Sequence, residues 1–369
     1  MDFVTPKENL LRELQVMQGI VEKKSTIPIL SNILIEARKD RLELAATDLE
    51  VGLRTTCDAQ VQKPGSITLQ ARRLFDIVRY LPDADVRLKA EDGNWVSITC
   101  QKARFRIVGL SREDFPAIPE FDFAKGIPIE RPLLIDMISK VLFAVTTDET
   151  RGYQIHGGLM LLHKRTLTLV ATDGHRLAFI SGRMEKGAAE TPIEVIVPRK
   201  AFQEIAAIGE GESEILFGQK ENHVFFKIGR TVLTSTIVPG KFPEYQKVIP
   251  EGNDRIVKIE AQGFADVLRR VALLSSERSR AVKISAQQGL LEISSSNPEV
   301  GEAAETIEVG YDGTPIEIGF NAKYLLDFLQ ALGPGEVHLA LKDEATQGLL
   351  RPVGLEGRDY RYVVMPMRI

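Results

Sequence analysis

Ala171-Thr172-Asp173-Gly174-His175-Arg176-Leu177 decides how this chain is read, because the stretch has a counterpart on either side. Ala46-Thr47-Asp48 closes an apolar run 125 residues earlier, and Ser295-Ser296-Asn297 closes another 124 residues later. Each run follows the same pattern: the start of a strand, an amphipathic helix, then two strands. A repeat of that length in 369 residues gives three copies, so the chain is an array and not a catalytic core with appendages. An array of this kind presents a surface, which favours binding or encircling something over chemistry.

Each third divides again. Leu10, Leu11, Leu14, Met17 and Val21 recur at helical spacing, with Thr5-Pro6 as expected N-cap and first helical residue. Further helices are expected over 71–81, 133–145, 198–208, 264–274 and 322–332. Strands are expected over 33–36, 41–45, 66–69, 86–89, 95–99, 193–197 and 316–319, with Glu91-Asp92-Gly93-Asn94 as a hairpin turn. The chain thus reads as six β-α-β-β-β units in three similar α+β domains, in preference to three unrelated ones. Phe115-Pro116 and Phe242-Pro243 mark equivalent exits, which places the domains at 1–124, 125–252 and 253–369.

Composition excludes several classes. The chain is 44% hydrophobic and 27% charged, ordinary for a globular protein, with no run near eighteen apolar residues to span a membrane. Met1 to Pro6 lacks the charged and apolar regions of a signal peptide, so the expected location is cytoplasmic. Cys57 and Cys100 cannot build a disulfide framework and read as small buried hydrophobes. The net charge is −4, yet the six helical segments together are net basic, and Lys23, Lys24, Arg278 and Arg280 extend that set. A solvated helix face explains this; so does a shared face that attracts phosphates while the rest of the chain repels them. No aromatic residues interleave the basic ones, and no groove-reading motif occurs, so base-specific readout is not indicated.

Thr172-Asp173-Gly174-His175-Arg176 is the most enzyme-like stretch, with an acid and an imidazole two residues apart. The equivalent Thr47-Asp48-Leu49-Glu50 keeps the Asp without the His, so Asp173 reads as a turn-capping group, and His175 and Arg176 as additions that recognise something. His156, His163, His223 and His338 lack metal-ligand spacing, and neither a phosphate-binding loop nor a nucleophile elbow occurs. No catalytic residue, metal or cofactor is therefore expected. Tyr362 to Ile369 stays apolar to its end. That fits a final strand, and the two methionines flanking Pro366 also suit an adaptable peptide-binding surface.

Pro28-Ile29-Leu30, the stretch 171–177, Phe242-Pro243-Glu244-Tyr245 and Val363-Val364-Met365-Pro366-Met367-Arg368 resemble the bacterial DNA polymerase sliding clamps, the beta subunits of replicative polymerases, along the whole chain. The resemblance implies a head-to-tail homodimeric ring of six domains, with helices inside and sheets outside, around double-stranded DNA. It implies no catalytic step, but a tether for the replicative polymerase, other polymerases and repair proteins, loaded by a separate clamp-loader ATPase and without a membrane partner. Partner peptides would dock at Ile155, Thr172, Gly174, His175, Arg176, Leu177, Pro243, Val248, Val363, Val364, Met365, Pro366, Met367 and Arg368. The DNA-facing set would be Lys24, Arg73, Lys200, Arg269, Arg270 and Lys323. The dimer interface would set Phe105 and Ile107 against Leu273 and Leu274, and Arg73 and Arg104 against Glu299, Glu302 and Glu305. The stretch 343–361, with Arg351-Pro352 and Gly354, reads as longer and less strand-like than the family hairpin, and the first helix as less basic than its siblings.

Overall fold

The computed structural model describes residues 1–21, 26–148, 150–209 and 211–368, with Tyr153 described at its backbone alone. The described elements run as six copies of one module: a strand, an α-helix, three strands. The first is β1 (Asp2–Pro6), α1 (Lys7–Met17), β2 (Asn32–Arg38), β3 (Arg41–Thr47) and β4 (Val51–Asp58), followed by an extra strand β5 (Gln60–Lys63). The second is β6 (Gly65–Gln70), α2 (Ala71–Tyr80), β7 (Asp85–Ala90), β8 (Trp95–Cys100) and β9 (Ala103–Val108). Then come β10 (Ile127–Glu130), α3 (Arg131–Val141), β11 (Gly157–Lys164), β12 (Thr166–Thr172) and β13 (Arg176–Arg183). The fourth is β14 (Ala189–Pro198), α4 (Arg199–Ala207), β15 (Glu214–Lys220), β16 (His223–Ile228) and β17 (Thr231–Thr236). The fifth is β18 (Arg255–Glu260), α5 (Ala261–Val271), β19 (Ala281–Gln287), β20 (Leu290–Asn297) and β21 (Gly301–Glu308). The last is β22 (Ile316–Asn321), α6 (Ala322–Leu332), β23 (Glu336–Leu341), β24 (Gly348–Pro352) and β25 (Arg358–Val364).

Neighbouring modules exchange their first strands. β1 pairs with β7 while β6 pairs with β2; β10 and β14 cross to β15 and β11, and β18 and β22 to β23 and β19. A module therefore cannot complete a sheet alone. Last strands then join: β4 to β17 over Val51–Arg54, and β13 to β25 over Arg176–Gly182. The chain forms two compact units. Residues 1–131 with 200–237 hold the sheets β5-β1-β7-β8-β9 and β10-β15-β16-β17-β4-β3-β2-β6. Residues 132–199 with 238–369 hold β14-β11-β12-β13-β25-β24-β23-β18 and β21-β20-β19-β22. β9 and β21 are left at the ends of their sheets.

Every helix starts on the residue after its strand, so the strand's last residue is the cap. Glu260 accepts from the N–H groups of Gln262 and Gly263, and Asn321 from that of Lys323, satisfying donors that a helix start leaves open. The expected Thr5 cap is not formed: Pro6 holds that position, and the Thr5 hydroxyl donates to the Asp58 carbonyl at 2.8 Å inside the sheet. The helices bury one stripe each, Leu10, Leu14 and Met17 on α1 and Phe264, Leu268 and Val271 on α5. α3 and α5 end earlier than expected because their last turns tighten to 3-10 geometry at Leu142–Ala144 and Ala272–Leu274. Within the 343–361 stretch, expected to be less strand-like, 348–352 and 358–361 are strand. β24 pairs β23 and β25, and Pro352 sits at the strand's final residue, where its missing N–H costs little.

The landmark turns are one structure used twice. Asp173 Oδ1 accepts from the N–H groups of His175 and Arg176, as Asp48 Oδ1 does from those of Glu50 and Val51. Thr172 and Thr47 donate to the Arg176 and Val51 carbonyls in the same way. Gly174 sits at φ +86° and Leu49, its counterpart, at φ +78°, where a side chain is strained. Leu49 is 57% exposed and loses little burial when removed. Leu49→Gly is expected to raise stability by up to about 1 kcal/mol, the released strain exceeding the added chain entropy. A urea midpoint that moves up checks this; one that falls contradicts it.

Candidate partner-binding and assembly surfaces

β13 brings Leu177 directly opposite Val363 of β25. Both are buried, in one cluster with Leu159, Val170, Ile196 and Phe242, and Tyr245 and Val248 pack on its margin. Beyond β25 the chain is pinned twice: the Met365 N–H donates to the His175 carbonyl at 2.9 Å, and that of Met367 to the Gly319 carbonyl at 2.8 Å. Met365, Pro366 and Met367 are thereby held half-exposed, with Pro243 and Arg368 exposed and Val364 buried. Two polarizable thioethers anchored by backbone bonds give a surface with fixed position and adaptable shape. Ile155 is half-buried, its N–H bonded to the Gly152 carbonyl. Thr172 and Gly174 serve the turn itself.

Arg176 is tied closely into the fold. It is 8% exposed, and its guanidinium donates to Asp173 at 2.9 Å, to Asp327 of α6 at 2.7 Å and to the Phe143 carbonyl at 2.7 Å. It also stacks over the Tyr324 ring at 4.4 Å. Burial disfavours the charge, but the carboxylates of Asp327 and Asp173 outweigh it and hold the guanidinium above its usual range. Arg176 is a joint behind the surface, fastening the turn to α6. Sequence reasoning missed Asp327, Tyr324 and Phe143; the one signal for Asp327 was its helical spacing from Lys323. His175 is exposed, accepts from Arg151 at 2.7 Å through Nε2 and stacks on Tyr324.

Two tyrosines lock β25 from the same side. The Tyr362 hydroxyl donates to the Tyr324 carbonyl and that of Tyr360 to the Lys140 carbonyl, each at 2.8 Å. Tyr362 stacks on Phe328 with centroids 4.9 Å apart. Burial pushes both hydroxyls well above the ordinary tyrosine range.

The expected DNA-facing cations fall into different states. Arg73 is exposed on α2. Arg269 pairs with Asp266, Arg270 with Glu305, and Lys323 with Asp327, all on half-exposed surface where such pairs are weak and exchange readily. Lys200 differs: its ammonium donates to Asp48 at 2.6 Å and to the Ile20 carbonyl at 2.7 Å, so it serves the first compact unit internally. Lys24 lies outside the described residues.

Of the expected interface residues, Leu273 is 78% and Phe105 41% exposed, Leu274 is half-buried, and Arg104, Glu299 and Glu302 stand in solvent. Ile107 is 8% exposed and pairs with the fully buried Val96, so within the single chain it packs into its own sheet. Glu305 is held within the chain by Arg270 at 2.5 Å. No helix among the described residues is long and apolar enough to cross a membrane. Nor do three metal-ligating side chains gather anywhere in them.

Three family models match in succession: the DNA polymerase III beta subunit N-terminal domain over residues 1–119, its central domain over 128–244 and its C-terminal domain over 246–368. Curated proteins named beta sliding clamp are 37% identical in Pseudomonas putida and 38% in Caulobacter vibrioides, each with 100% of both chains covered. The crystal structure of DNA polymerase III subunit beta from Pseudomonas aeruginosa superposes with a TM-score of 0.93 at 35% identity, covering 100% of both chains. The sliding clamp from Caulobacter crescentus gives 0.91 at 37%, with the same coverage.

Arg176→Ala leaves two carboxylates without their buried partner and is expected to cost about 3–5 kcal/mol in urea unfolding. A loss below about 1 kcal/mol would show that the joint is not needed. Tyr360 and Tyr362 resist ionisation in the folded state, so their contribution is complete below about pH 10 and is lost as the pH rises through the folded values. Ultraviolet titration of the seven tyrosines should show two that ionise only with unfolding. Seven that titrate together near the ordinary value contradict the packing.

Proposed function

The chain belongs to the DNA polymerase III beta-subunit family, the beta sliding clamps, and from that premise we propose that two copies close head to tail into a ring around duplex DNA. A sliding clamp tethers its polymerase for processive synthesis. It is a processivity factor with DNA and polymerase partners. The ring consists of the domains 1–124, 125–252 and 253–369 from each copy, helices inward and sheets outward.

The observation that carries this is the pair of strands left over. Wherever the chain supplies both partners, the last strand of one module seals against the last strand of another: β4 on β17, β13 on β25. Among the described residues, β9 and β21 are the two last strands without such a seam. They offer complementary charge, Arg104 and Arg106 on β9 against Glu302 and Glu308 on β21. The ladders also imply a register. Leu53, which pairs with Ala46, meets Leu233; the equivalent positions are Ala303, which pairs with Ser295, and Phe105. Phe105 then lies opposite Ala303 of a second copy, and Arg106 opposite its Glu302. Opposite charges directly across a strand pair are stabilising, and a heterologous joint made twice closes into a ring.

Inside the ring the helices present Arg73, Arg269, Arg270 and Lys323 to the phosphates. Such contacts are salt-sensitive and carry no sequence information, so the clamp slides. Lys200 is omitted from this set because Asp48 already holds it. Short peptides of the polymerase, the loader ATPase and repair proteins take turns at the surface formed by Leu177, Pro243, Val248, Val363, Met365 and Met367, with His175 at its rim. Apolar pockets hold a partner's Leu and Phe. The bound polymerase stays near the primer end by effective concentration. Replication of this kind places the protein in the cytoplasm.

The functional test is retention on DNA. Loaded onto nicked circular duplex by a clamp-loading ATPase, the protein should travel with the circle through gel filtration in high salt, at twice the 41.0 kDa chain mass, and leave when the circle is cut. Retention that is equal on linear and circular DNA, or loss from both, contradicts topological tethering.

A further inference from the structure

The peptide-docking surface proposed above has a structural twin in the first compact unit. Leu159, Val170, Leu177 and Phe242 form the apolar cluster beneath that surface, and Leu34, Ala45 and Phe115 occupy the equivalent places in the first repeat. The ladders confirm the correspondence: Leu34 pairs with Ala45 as Leu159 does with Val170, and Gly52 pairs with Thr234 as Leu177 does with Val363. Three positions differ: Ala45 replaces Val170, Thr234 replaces Val363, and the largest change is at Leu177. Gly52 stands where the second repeat has Leu177.

The space is not empty. A Cβ on Gly52 would lie 2.9 Å from Cγ2 of Ile118, a separation that real side chains do not show. Ile118 comes from the segment that leaves the first domain after Phe115-Pro116; it is 6% exposed and completes the cluster of Leu34, Ala45 and Phe115. Arg54 fastens the segment at that residue and two residues beyond it. Arg54 donates to the Ile118 carbonyl at 2.7 Å and forms an ion pair with Glu120. Beside Ile118 a cavity of about 380 Å³ remains, lined in part by Leu34, Ala45, Phe115 and Pro116, with Arg54 and Arg112 also at its wall. That volume is in the range of ligand sites and is large enough for an apolar anchor with neighbouring polar donors.

We propose that Ile118 is a built-in ligand that closes the first repeat's copy of the peptide groove, so that each chain offers partners one docking site instead of two. The proposal rests on the peptide reading of the surface around Leu177 and Val363. Gly52 is the residue that leaves room for it, since even a Cβ there would force Ile118 to shift. A clamp with two equivalent grooves per chain would divide its partners between them. A self-filled groove keeps the competition at one place.

The test is the stoichiometry of a short synthetic peptide with adjacent Leu and Phe, titrated by calorimetry into the full chain. Wild type should bind one peptide per chain, and Met365→Ala should weaken that site at least tenfold. Ile118→Ala, with native mass and far-ultraviolet dichroism unchanged, should bind two. A photo-crosslinking version of the peptide should then attach within 34–54 or 112–120 as well as near Met365. If Ile118→Ala does not fold, Ile118→Thr, which keeps the branched shape and adds a polar group, should give the same second site at lower affinity. A folded variant that still binds one peptide overturns the proposal. Wild type that binds none, or binds without regard to Met365, overturns the parent reading instead.

Discussion

The exchange of first strands between neighbouring modules is the constraint on which the rest depends. A module that gives its first strand away and receives its neighbour's has no sheet of its own. Backbone groups along a strand must find partners, and this arrangement leaves each module's last strand with one open side. The chain closes two pairs of these openings internally and has two openings over. Assembly in this account is the completion of a pairing rule that the chain already obeys twice.

The two internal seams are not equal. β13 and β25 are paired over seven positions, reinforced by the Arg176 joint and by Tyr360 and Tyr362. β4 and β17 are paired over four, with Val51 where the other seam has Arg176. Lys200 compensates by reaching Asp48, the counterpart of Asp173. The stronger seam lies beneath the surface assigned to partners, where a docking site needs its floor held still. Burying Arg176 between two carboxylates and two rings achieves that while leaving His175 and Met365 accessible.

The repeat made most of the fold legible. Apolar spacing located all six helices, and the landmark tripeptides located the turns, because Asp48 and Asp173 perform the same local backbone chemistry wherever they occur. What escaped was tertiary. Thr5 looks like a cap, but Cys57 and Asp58 draw it into a sheet. Arg351-Pro352 reads as irregular because the sequence does not show that Pro352 falls at the last position of a strand. Arg176 was seen as a recognition residue because its partners, Asp327 and the Phe143 carbonyl, are remote in the chain. Charge on helices was visible as a pattern, whereas the commitment of Lys200 to Asp48 required coordinates.

The most direct test of the pairing rule is a cross-link at the proposed register. Arg106→Cys with Glu302→Cys puts two thiols on strands that would face each other between copies, within the Cα separation a disulfide tolerates. Cys57 and Cys100 are buried and do not compete. The account predicts that mild oxidation gives a covalent dimer from the double variant and none from either single variant. A dimer from Arg106→Cys alone would mean that β9 meets β9, and no dimer at all would mean that these edges do not meet; either result contradicts a head-to-tail ring.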